Sequence, residues 1–144
     1  MMDKSITSGF TLENYTLDSI NFMANPDFNF DDPLEINFQL DIDVKINDEN
    51  DVGMVTLRCK VFKEPIENNY PFTVEVSLRG IFKANNAIPE EQFRDFCRIN
   101  GTTTLFPFLR SAIADVTKAA NVEPLLLPLI NINNIFENMN NAKG

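Results

Sequence analysis

The segment LEINFQLDIDVKI, residues 34–46, alternates apolar and polar side chains without a break. Its even-numbered positions are apolar from Leu34 to Ile46, and the odd-numbered positions between them are polar or charged. Successive side chains of a β-strand point to opposite faces of the sheet. The alternation therefore predicts a long strand with one buried and one solvated face.

Three further segments predict strands that accompany this one. Residues 55–61 and 72–82 alternate in the same way, and turn-forming residues at 47–53 and 65–69 separate them. Residues 10–24 are also strand-like, but their apolar phase slips twice, which indicates a β-bulge or a strand buried differently on its two faces. Strands with one solvated face that are joined by short turns predict an antiparallel sheet.

Helical periodicity begins after the last predicted strand. Pro89 opens a short helix, which we expect to end at Asn100-Gly101. Residues 102–104 then cap a longer helix that has Pro107 in its first turn. A last short helix is expected from about residue 131 or 133. Four antiparallel strands followed by helices predict an α+β fold.

The longer predicted helix is apolar over a wide arc. At 100° per residue the arc spans about 160°, which is broader than the minimum stripe of a surface helix. It includes Leu105, Phe108, Leu109, Ala112, Ile113 and Val116. One sheet and one substantial helix cannot bury this arc together with the last helix and the slipped first strand. The excess predicts oligomerisation or the binding of apolar segments.

The negative charge of the chain is concentrated in one block. The net charge is −9, and residues 27–51 contain nine acidic side chains and one basic one, Lys45. Such an excess repels a phosphate backbone, which argues against nucleic-acid binding. We interpret the block either as a solvated face with a charged turn or as a docking surface for a basic partner. Asp41 and Asp43 share one strand face within it.

The residue types argue against catalysis and against a bound cofactor or metal. The chain has no His, two Cys and five scattered Gly, so it lacks the commonest general base, a metal-ligand cluster and a phosphate-cradling loop. Asp41 and Asp43 are neighbours on one strand, whereas paired glycosidase carboxylates flank a substrate across a cleft. We predict a protein that is not an enzyme.

The sequence also predicts where the protein works. Cys59 and Cys97 lie in apolar patterns and are expected to be small buried hydrophobes in a reducing compartment. Residues 1–10 contain no apolar signal-peptide core, and Pro128 interrupts the densest apolar stretch. We therefore expect a cytoplasmic protein that does not insert into membranes.

A series of short motifs resembles the SecB family of export chaperones. The motifs are FTLENY at 10–15, DSINF at 18–22, GIF at 80–82, NG at 100–101, LFPFLR at 105–110 and LP at 127–128. Their order and spacing cover nearly the whole chain. The resemblance implies one domain over residues 1–144, with helices on one face of a four-stranded antiparallel sheet, assembled as a dimer of dimers.

The resemblance also implies a mechanism and residues that serve it. Members of the family hold unfolded preproteins in long apolar grooves, through many weak contacts and without ATP. The matching positions here are Phe28, Phe30, Leu125, Leu126, Ile135, Phe136 and Met139. In the family the main helix packs at subunit interfaces, which implies a homotetramer that uses the wide apolar arc.

An acidic sheet surface of the family docks the SecA translocation motor. Asp18 and Glu75 keep an acid at matching positions, whereas Met23 replaces an acid and Thr73 replaces an apolar residue. SecB-like proteins also serve as dedicated chaperones of antitoxins. The sequence thus predicts a holdase for unfolded polypeptide. The alternatives are a dedicated antitoxin chaperone and a non-chaperone adaptor that keeps the SecB-like fold.

Overall fold

Four strands form one antiparallel sheet in the order β1-β4-β3-β2, which confirms the predicted fold class. The computed structural model describes residues 10–29, 34–86, 88–122, 125 and 127. The strands are β1 (Phe10–Ala24), β2 (Phe38–Ile46), β3 (Val52–Val61) and β4 (Phe72–Ala84). The helical elements are α1 (Pro65–Asn68), α2 (Glu90–Phe96), a π-helical turn (Cys97–Gly101) and α3 (Thr102–Ala119).

β2 and β3 form a hairpin with an unbroken register. Asn47 closes it, because its side-chain oxygen accepts hydrogen bonds from the Asp51 and Val52 amides at 3.0 and 2.9 Å. Asn50 adopts φ 57°, a left-handed conformation that Asn tolerates better than most residues. The predicted polar turn therefore lies between two paired strands, as the sequence indicates.

β2 begins at Phe38, although the alternating sequence begins earlier. Its partner strand ends at Val61, and the next residue, Phe62, has φ 58° and turns the chain away. The Phe62 amide still donates to the Asn37 carbonyl at 2.9 Å, but no described strand pairs with residues 34–36. Because a strand needs a neighbour for its backbone groups, the alternating pattern is longer than the strand.

β1 has 15 residues and pairs with β4, and the pairing contains two register shifts, at Glu13 and Asp18. Each shift inserts one extra residue, so the side chains that follow it change faces. Tyr15 and Leu17, which break the apolar phase in the sequence, thereby lie on the side of the sheet that carries the helices. The predicted bulge is confirmed, and there are two of them.

The helical part of the chain corrects a prediction. Cys97 and Gly101 both have right-handed helical dihedrals, so α2, the π-helical turn and α3 form one continuous helical run. The predicted helix end at Gly101 and the predicted cap at residues 102–104 are wrong. Thr103 and Thr104 instead donate side-chain hydrogen bonds to carbonyls four residues earlier, each at 2.8 Å.

Gly101 is needed for a close contact with the sheet rather than for a turn. A Cβ atom at this position would lie 2.8 Å from Val55 Cγ2 and 3.3 Å from the Phe82 ring. Gly53 and Gly80 make room for the helical run from the sheet side in the same way. The glycine that looks like a helix terminator in the sequence therefore lets the helix lie directly on β3 and β4.

α3 ends where Asn121 adopts φ 60°, a left-handed residue that closes the helix. The Val122 amide then donates to the Thr117 carbonyl at 3.2 Å, as in a Schellman motif. The chain returns along α3, where the Leu127 carbonyl accepts a hydrogen bond from Arg110 Nε at 2.9 Å. The predicted last short helix lies outside the described residues.

The core lies on one face of the sheet, between the strands and the helical run. Its largest fully buried side chains include Phe62, Phe82 and Phe93. Cys59 and Cys97 are buried and unpaired in it, as the sequence predicts. Along β4 buried residues alternate with more exposed ones, so the opposite face of the sheet, which we call the outer face, is the more exposed of the two.

Candidate functional site

A groove with a volume of about 440 Å³ opens at the end of the sheet where β2 begins. Its lining residues are Leu34, Glu35, Ile36, Asn37, Asn68, Asn69 and Tyr70. We call it the crossing-segment groove, because residues 25–37 cross from β1 to β2. Leu34 and Ile36 form the apolar part of its wall and expose 46% and 43% of their surface.

Two asparagines tie the beginning of the crossing segment to the loop that lines this groove. Asn25 is buried, and its side-chain amide donates to the Pro65 and Tyr70 carbonyls at 3.1 and 2.9 Å. The side chain of Asn69 exchanges two hydrogen bonds with the backbone of Asn29, at 2.9 and 3.0 Å. Sequence reasoning missed both residues, because Asn is common in turns and gives no further signal there.

Phe62 supports Tyr70, a residue of the groove wall, and adopts a strained backbone conformation. Its φ of 58° is unusual for a bulky side chain, and such strain costs about 1–3 kcal/mol. The buried Phe62 ring packs on the Tyr70 and Phe72 rings, with centroid distances of 4.8 and 5.2 Å. This aromatic contact fixes Tyr70 in the groove wall. The only signal in the sequence was two adjacent apolar residues, Val61 and Phe62, at a strand end.

β2 is an edge strand, and no strand in the described part of the chain pairs with its outer edge, which adjoins this groove. We call this outer edge the free edge of β2. At the two ends of the hairpin, the Asn37 carbonyl accepts from the Phe62 amide and the Asn47 amide donates to the Val52 carbonyl. With the unbroken register between them, these bonds show that the odd-numbered residues of β2 hydrogen-bond to β3. In an antiparallel ladder the residues between such pairs direct their N–H and C=O groups the other way. The residues whose backbone groups face the free edge therefore include Phe38, Leu40 and Ile42.

A second groove, also of about 440 Å³, lies between β1 and α3. Its lining residues are Tyr15, Leu17, Ile20, Leu78, Phe108, Ser111, Ala112, Asp115 and Val116. The Tyr15 and Phe108 rings stack with their centroids 4.2 Å apart. Tyr15 and Leu17 remain 43% and 42% exposed, so this β1–α3 groove is an apolar surface that the described residues leave open.

The helix arc predicted as an oligomer interface divides between the core and this groove. Leu105, Leu109 and Ile113 are fully buried against the sheet of their own chain. The remaining three predicted residues are half-buried and line the β1–α3 groove: Phe108, Ala112 and Val116. The arc is wide because it serves the core on one side and leaves an accessible surface on the other.

Two acidic residues predicted to dock a partner are paired with cations. Asp18 Oδ1 lies 3.0 Å from Arg79 Nε, and Glu75 Oε2 lies 3.8 Å from Lys60 Nζ. All four side chains are at least one-third exposed. These positions thus offer a partner both signs of charge.

Asp41 and Asp43 lie on the same sheet face, in β2. Asp41 is opposite Arg58 in the register, and Asp43 is opposite Thr56. Within the acidic block, Asp41 on β2 thus lies opposite a cation on β3, and further acidic residues lie in the turn at residues 47–51. This face of the sheet therefore carries basic as well as acidic side chains.

Of the residues predicted to bind unfolded polypeptide, Phe28 and Leu125 lie in the described part of the chain. Phe28 is half-buried in the crossing segment, and its amide donates to the Asn25 carbonyl at 3.3 Å. Leu125 is half-buried beside α3, and its amide donates to Thr117 Oγ1 at 2.9 Å. The predicted residues outside the described part are Phe30, Leu126, Ile135, Phe136 and Met139.

The two thiols are held in their protonated form. Burial, and to a smaller extent the charge of Asp41, raises the pKa of Cys59 to about 12. Burial raises the pKa of Cys97 to about 11, against the opposing charge of Arg94. Protonated thiols are poor nucleophiles and poor metal ligands.

Within the described ranges, no cluster of His, Cys, Asp and Glu is suited to a metal ion, and no helix has the length and apolarity needed to cross a membrane.

Known proteins with the same fold include a SecB-like chaperone. The structure of the Mycobacterium tuberculosis SecB-like chaperone, solved with a ChAD peptide from the HigA1 antitoxin, superposes with a TM-score of 0.69. The match covers 88% of this chain and 94% of that one at 13% sequence identity, so it concerns the fold.

Relatives by sequence point to the same family. An uncharacterized protein of Methanocaldococcus jannaschii is 26% identical over 132 residues, which are 90% of this chain and 84% of the relative. The protein-export protein SecB of Wolbachia sp. subsp. Drosophila simulans is 33% identical over 99 residues, or 65% of this chain and 59% of the relative. The match to that export protein thus spans less than two thirds of its length. The family model for preprotein translocase subunit SecB matches residues 15–143, so this chain belongs to the SecB family.

Proposed function

We propose that the protein is an ATP-independent holdase that binds extended segments of unfolded polypeptide along the free edge of β2 and in the crossing-segment groove. The observation that supports this most strongly is the free edge itself. Its open backbone donors and acceptors lie beside the exposed side chains of Leu34 and Ile36. An extended peptide can add a strand to such an edge through main-chain hydrogen bonds.

Backbone recognition suits a chaperone that must accept many sequences. Main-chain hydrogen bonds do not depend on the side chains of the client, and each contributes about 0.5–1.5 kcal/mol. Leu34 and Ile36 add apolar contact in the same groove, whose other wall contains Asn68 and Asn69, side chains that also hydrogen-bond within the chain. The site therefore combines several weak contacts, none of which requires one particular client residue.

The client path extends over further residues in this proposal. Phe28 and Leu125 are half-buried, so each keeps surface for an apolar client side chain. We assign the same role to the residues that lie outside the described part of the chain: Phe30, Leu126, Ile135, Phe136 and Met139.

Oligomerisation would repeat the site and increase avidity without any new contact. We propose a homotetramer, built as a dimer of dimers, in which a second copy covers the β1–α3 groove. Phe108, Ala112 and Val116 are its contact residues on α3, and the stacked Tyr15 contributes from β1. The groove is apolar and partly exposed, as a self-complementary interface requires.

We assign this function to the cytoplasm and assign it no catalytic step. Capture by backbone pairing and apolar contact consumes no nucleotide and uses no cofactor. The absence of His from the sequence and the raised pKa values of Cys59 and Cys97 support a role in binding rather than in nucleophilic chemistry.

The test is suppression of aggregation. Malate dehydrogenase unfolded in guanidinium is diluted into buffer without nucleotide, and light scattering is followed with substoichiometric amounts of this protein. We expect a delay, and we expect the double variant Leu34→Ser/Ile36→Ser to shorten it. Ile99→Ser is the matched control, because Ile99 is exposed to 42% but lines neither groove. A wild-type protein that never delays aggregation contradicts the proposal.

A second candidate is a dedicated chaperone for an antitoxin. The M. tuberculosis SecB-like chaperone of the same fold was solved with an antitoxin peptide, which favours this alternative over others. Crosslinking in the native cytoplasm followed by identification of the captured chains separates the two candidates. Many unrelated clients support the general holdase, and one dominant antitoxin supports the dedicated chaperone.

We propose that a folded partner such as the SecA motor would dock on the outer face of the sheet, the face opposite the core. The acidic residues of this docking surface are Asp18, Glu75, Asp41 and Asp43. Since Asp18 and Glu75 already pair with cations, a partner that carries both charges fits this face better than a purely basic one. Reversing the charges of Asp41 and Asp43 should weaken a salt-sensitive complex and leave aggregation suppression unchanged. The reverse result would argue against separate surfaces and against an adaptor role.

A further inference from the structure

The free edge of β2 is not uniform along its length. Arg94, on α2, reaches across 50 positions of sequence and donates from Nη1 to the Val44 carbonyl at 3.1 Å. Its other terminal nitrogen, Nη2, lies 3.9 Å from Glu90 Oε1, one helical turn earlier. The guanidinium is thus held between a carboxylate on its own helix and the backbone of the edge strand.

The register places this contact on the free edge. Val44 is an even-numbered residue of β2, so its N–H and C=O groups point away from β3, as those of Leu40 and Ile42 do. A strand that paired with this edge would place an N–H group where the Arg94 guanidinium now lies. Backbone pairing beyond Ile42 would therefore require displacement of the arginine.

We propose that Arg94 ends the polypeptide-binding edge, so that a client pairs with the half of β2 from Phe38 to Ile42 and not with the half that follows. This inference rests on the proposed function, because it concerns the extent of the same site. Arg94 is a positioning residue: it occupies one carbonyl and thereby fixes where the client strand stops.

A partly covered edge also limits unwanted pairing of β2 with other chains. An unprotected edge pairs with other chains, and proteins limit this with charged side chains near the edge. Here the charge covers the half next to the hairpin turn, and the half next to Leu34 and Ile36 stays open. Five residues of β2 remain for pairing, which corresponds to roughly 17 Å of extended client.

The experiment is amide hydrogen exchange of the full-length protein, read residue by residue. The probe is reduced, carboxamidomethylated lysozyme, which stays unfolded. In the wild type we expect bound probe to slow exchange of the Leu40 and Ile42 amides by about tenfold, and to leave Val44 and Ile46 unchanged. In Arg94→Met, which keeps an unbranched apolar stem, we expect the slowing to extend to Val44 and Ile46.

A matched control corrects for the lost charge. Arg79→Met removes a side chain of similar exposure from the outer sheet face, where it pairs with Asp18. It should leave the boundary of protection after Ile42. A boundary that stays there in Arg94→Met, with probe still bound, overturns the role of Arg94 and leaves the proposed function intact.

Two other outcomes of the exchange experiment would contradict the proposal. Protection of Val44 and Ile46 in the wild type overturns the proposal, because pairing then passes the arginine. Bound probe that slows neither Leu40 nor Ile42 in any variant contradicts the free-edge site itself, and the role of Arg94 falls with it.

Discussion

β1 and β2 lie at opposite edges of the same sheet, yet β1 contains two bulges in 15 residues and β2 contains none in nine. The bulges turn Tyr15 and Leu17 toward the helix side, where they border a partly open apolar groove with Phe108. β2 keeps a regular backbone whose outer groups are open up to Ile42. Neither edge pairs with another described strand, but the bulges interrupt the regular spacing of backbone groups in β1, so β1 offers mainly side chains and β2 offers main-chain hydrogen bonds.

This difference assigns separate tasks to the two edges. A second copy of the chain is a fixed partner, which shape and apolar side chains can recognise specifically. Unfolded clients vary in sequence, and the feature that they share is the backbone. Changes at the β1 edge should therefore affect self-association, and changes at the β2 edge should affect client binding.

The first prediction concerns a substitution that disrupts the apolar side-chain surface at the β1 edge. Phe108→Asp places a charge in the β1–α3 groove and should weaken self-association by about 100-fold, because central aromatic residues dominate interface energy. Size exclusion with light scattering should then report a monomer of 16.4 kDa. Ile99→Asp, on the same helical run but outside the groove, should remain oligomeric. An unchanged assembly in Phe108→Asp would place the interface elsewhere.

The second prediction concerns a substitution that removes a main-chain hydrogen-bond donor at the β2 edge. Proline is tolerated in an edge strand where its missing N–H faced solvent, so Ile42→Pro should keep the β2–β3 ladder. Because one main-chain hydrogen bond to the client is lost, client affinity should fall by about tenfold, or about 1.4 kcal/mol, measured by fluorescence anisotropy of labelled, unfolded lysozyme. Glu13→Pro, at a β1 bulge, should leave that affinity unchanged. Equal losses in both variants would contradict the division between the edges.

The third prediction concerns the thiol of Cys59 on β3, the strand next to β2. Cys59 lies opposite Leu40, and its pKa is raised from 9.0 to about 12. Above pH 9 the unfolded thiol loses its proton while the folded one keeps it, so this thiol lowers the free energy of unfolding by about 1.4 kcal/mol per pH unit. Urea titrations between pH 9 and 11 should show a shallower decline in Cys59→Ala. Equal slopes would mean that this side of the core admits water.

The smallest expected effect is at the β1 bulge itself. Asp18→Asn removes the 3.0 Å ion pair with Arg79, but both side chains are more than one-third exposed. Such pairs contribute about 0.5 kcal/mol or less, and salt reduces this further. Glu75→Gln, whose pair with Lys60 spans 3.8 Å, should change the free energy of unfolding even less. A loss above about 1 kcal/mol in Asp18→Asn would mean that the pair holds the bulge in place.

Most of the sheet was predictable, because alternation reports which side of a strand is buried. The two slips of phase near Glu13 and Asp18 also identified the bulges, since an inserted residue changes the face of every side chain that follows. The helix boundaries were not predictable in this way. Gly101 resembles a terminator in the sequence, but the nearby Val55 and Phe82 explain its lack of a side chain.

The candidate site was predictable only in part. Phe28 was predicted from the family resemblance, and it lies half-buried in the crossing segment. Asn25 and Tyr70 were missed, because their contacts join positions 45 residues apart that no local pattern connects. The predicted interface arc contained both Leu109, which is fully buried, and Phe108, which is partly open, because helical periodicity cannot distinguish a core from a second surface.

The sequence by itself determined the strands, their buried faces, the bulges and the family, because local periodicity and motifs carry that information. The order β1-β4-β3-β2 and the identity of the two edges were decided only by the tertiary structure. The same is true of the ion pairs that offset the acidic residues and of the contact between Arg94 and Val44. Each of these depends on which distant segments lie next to one another, and that is a property of the packed chain.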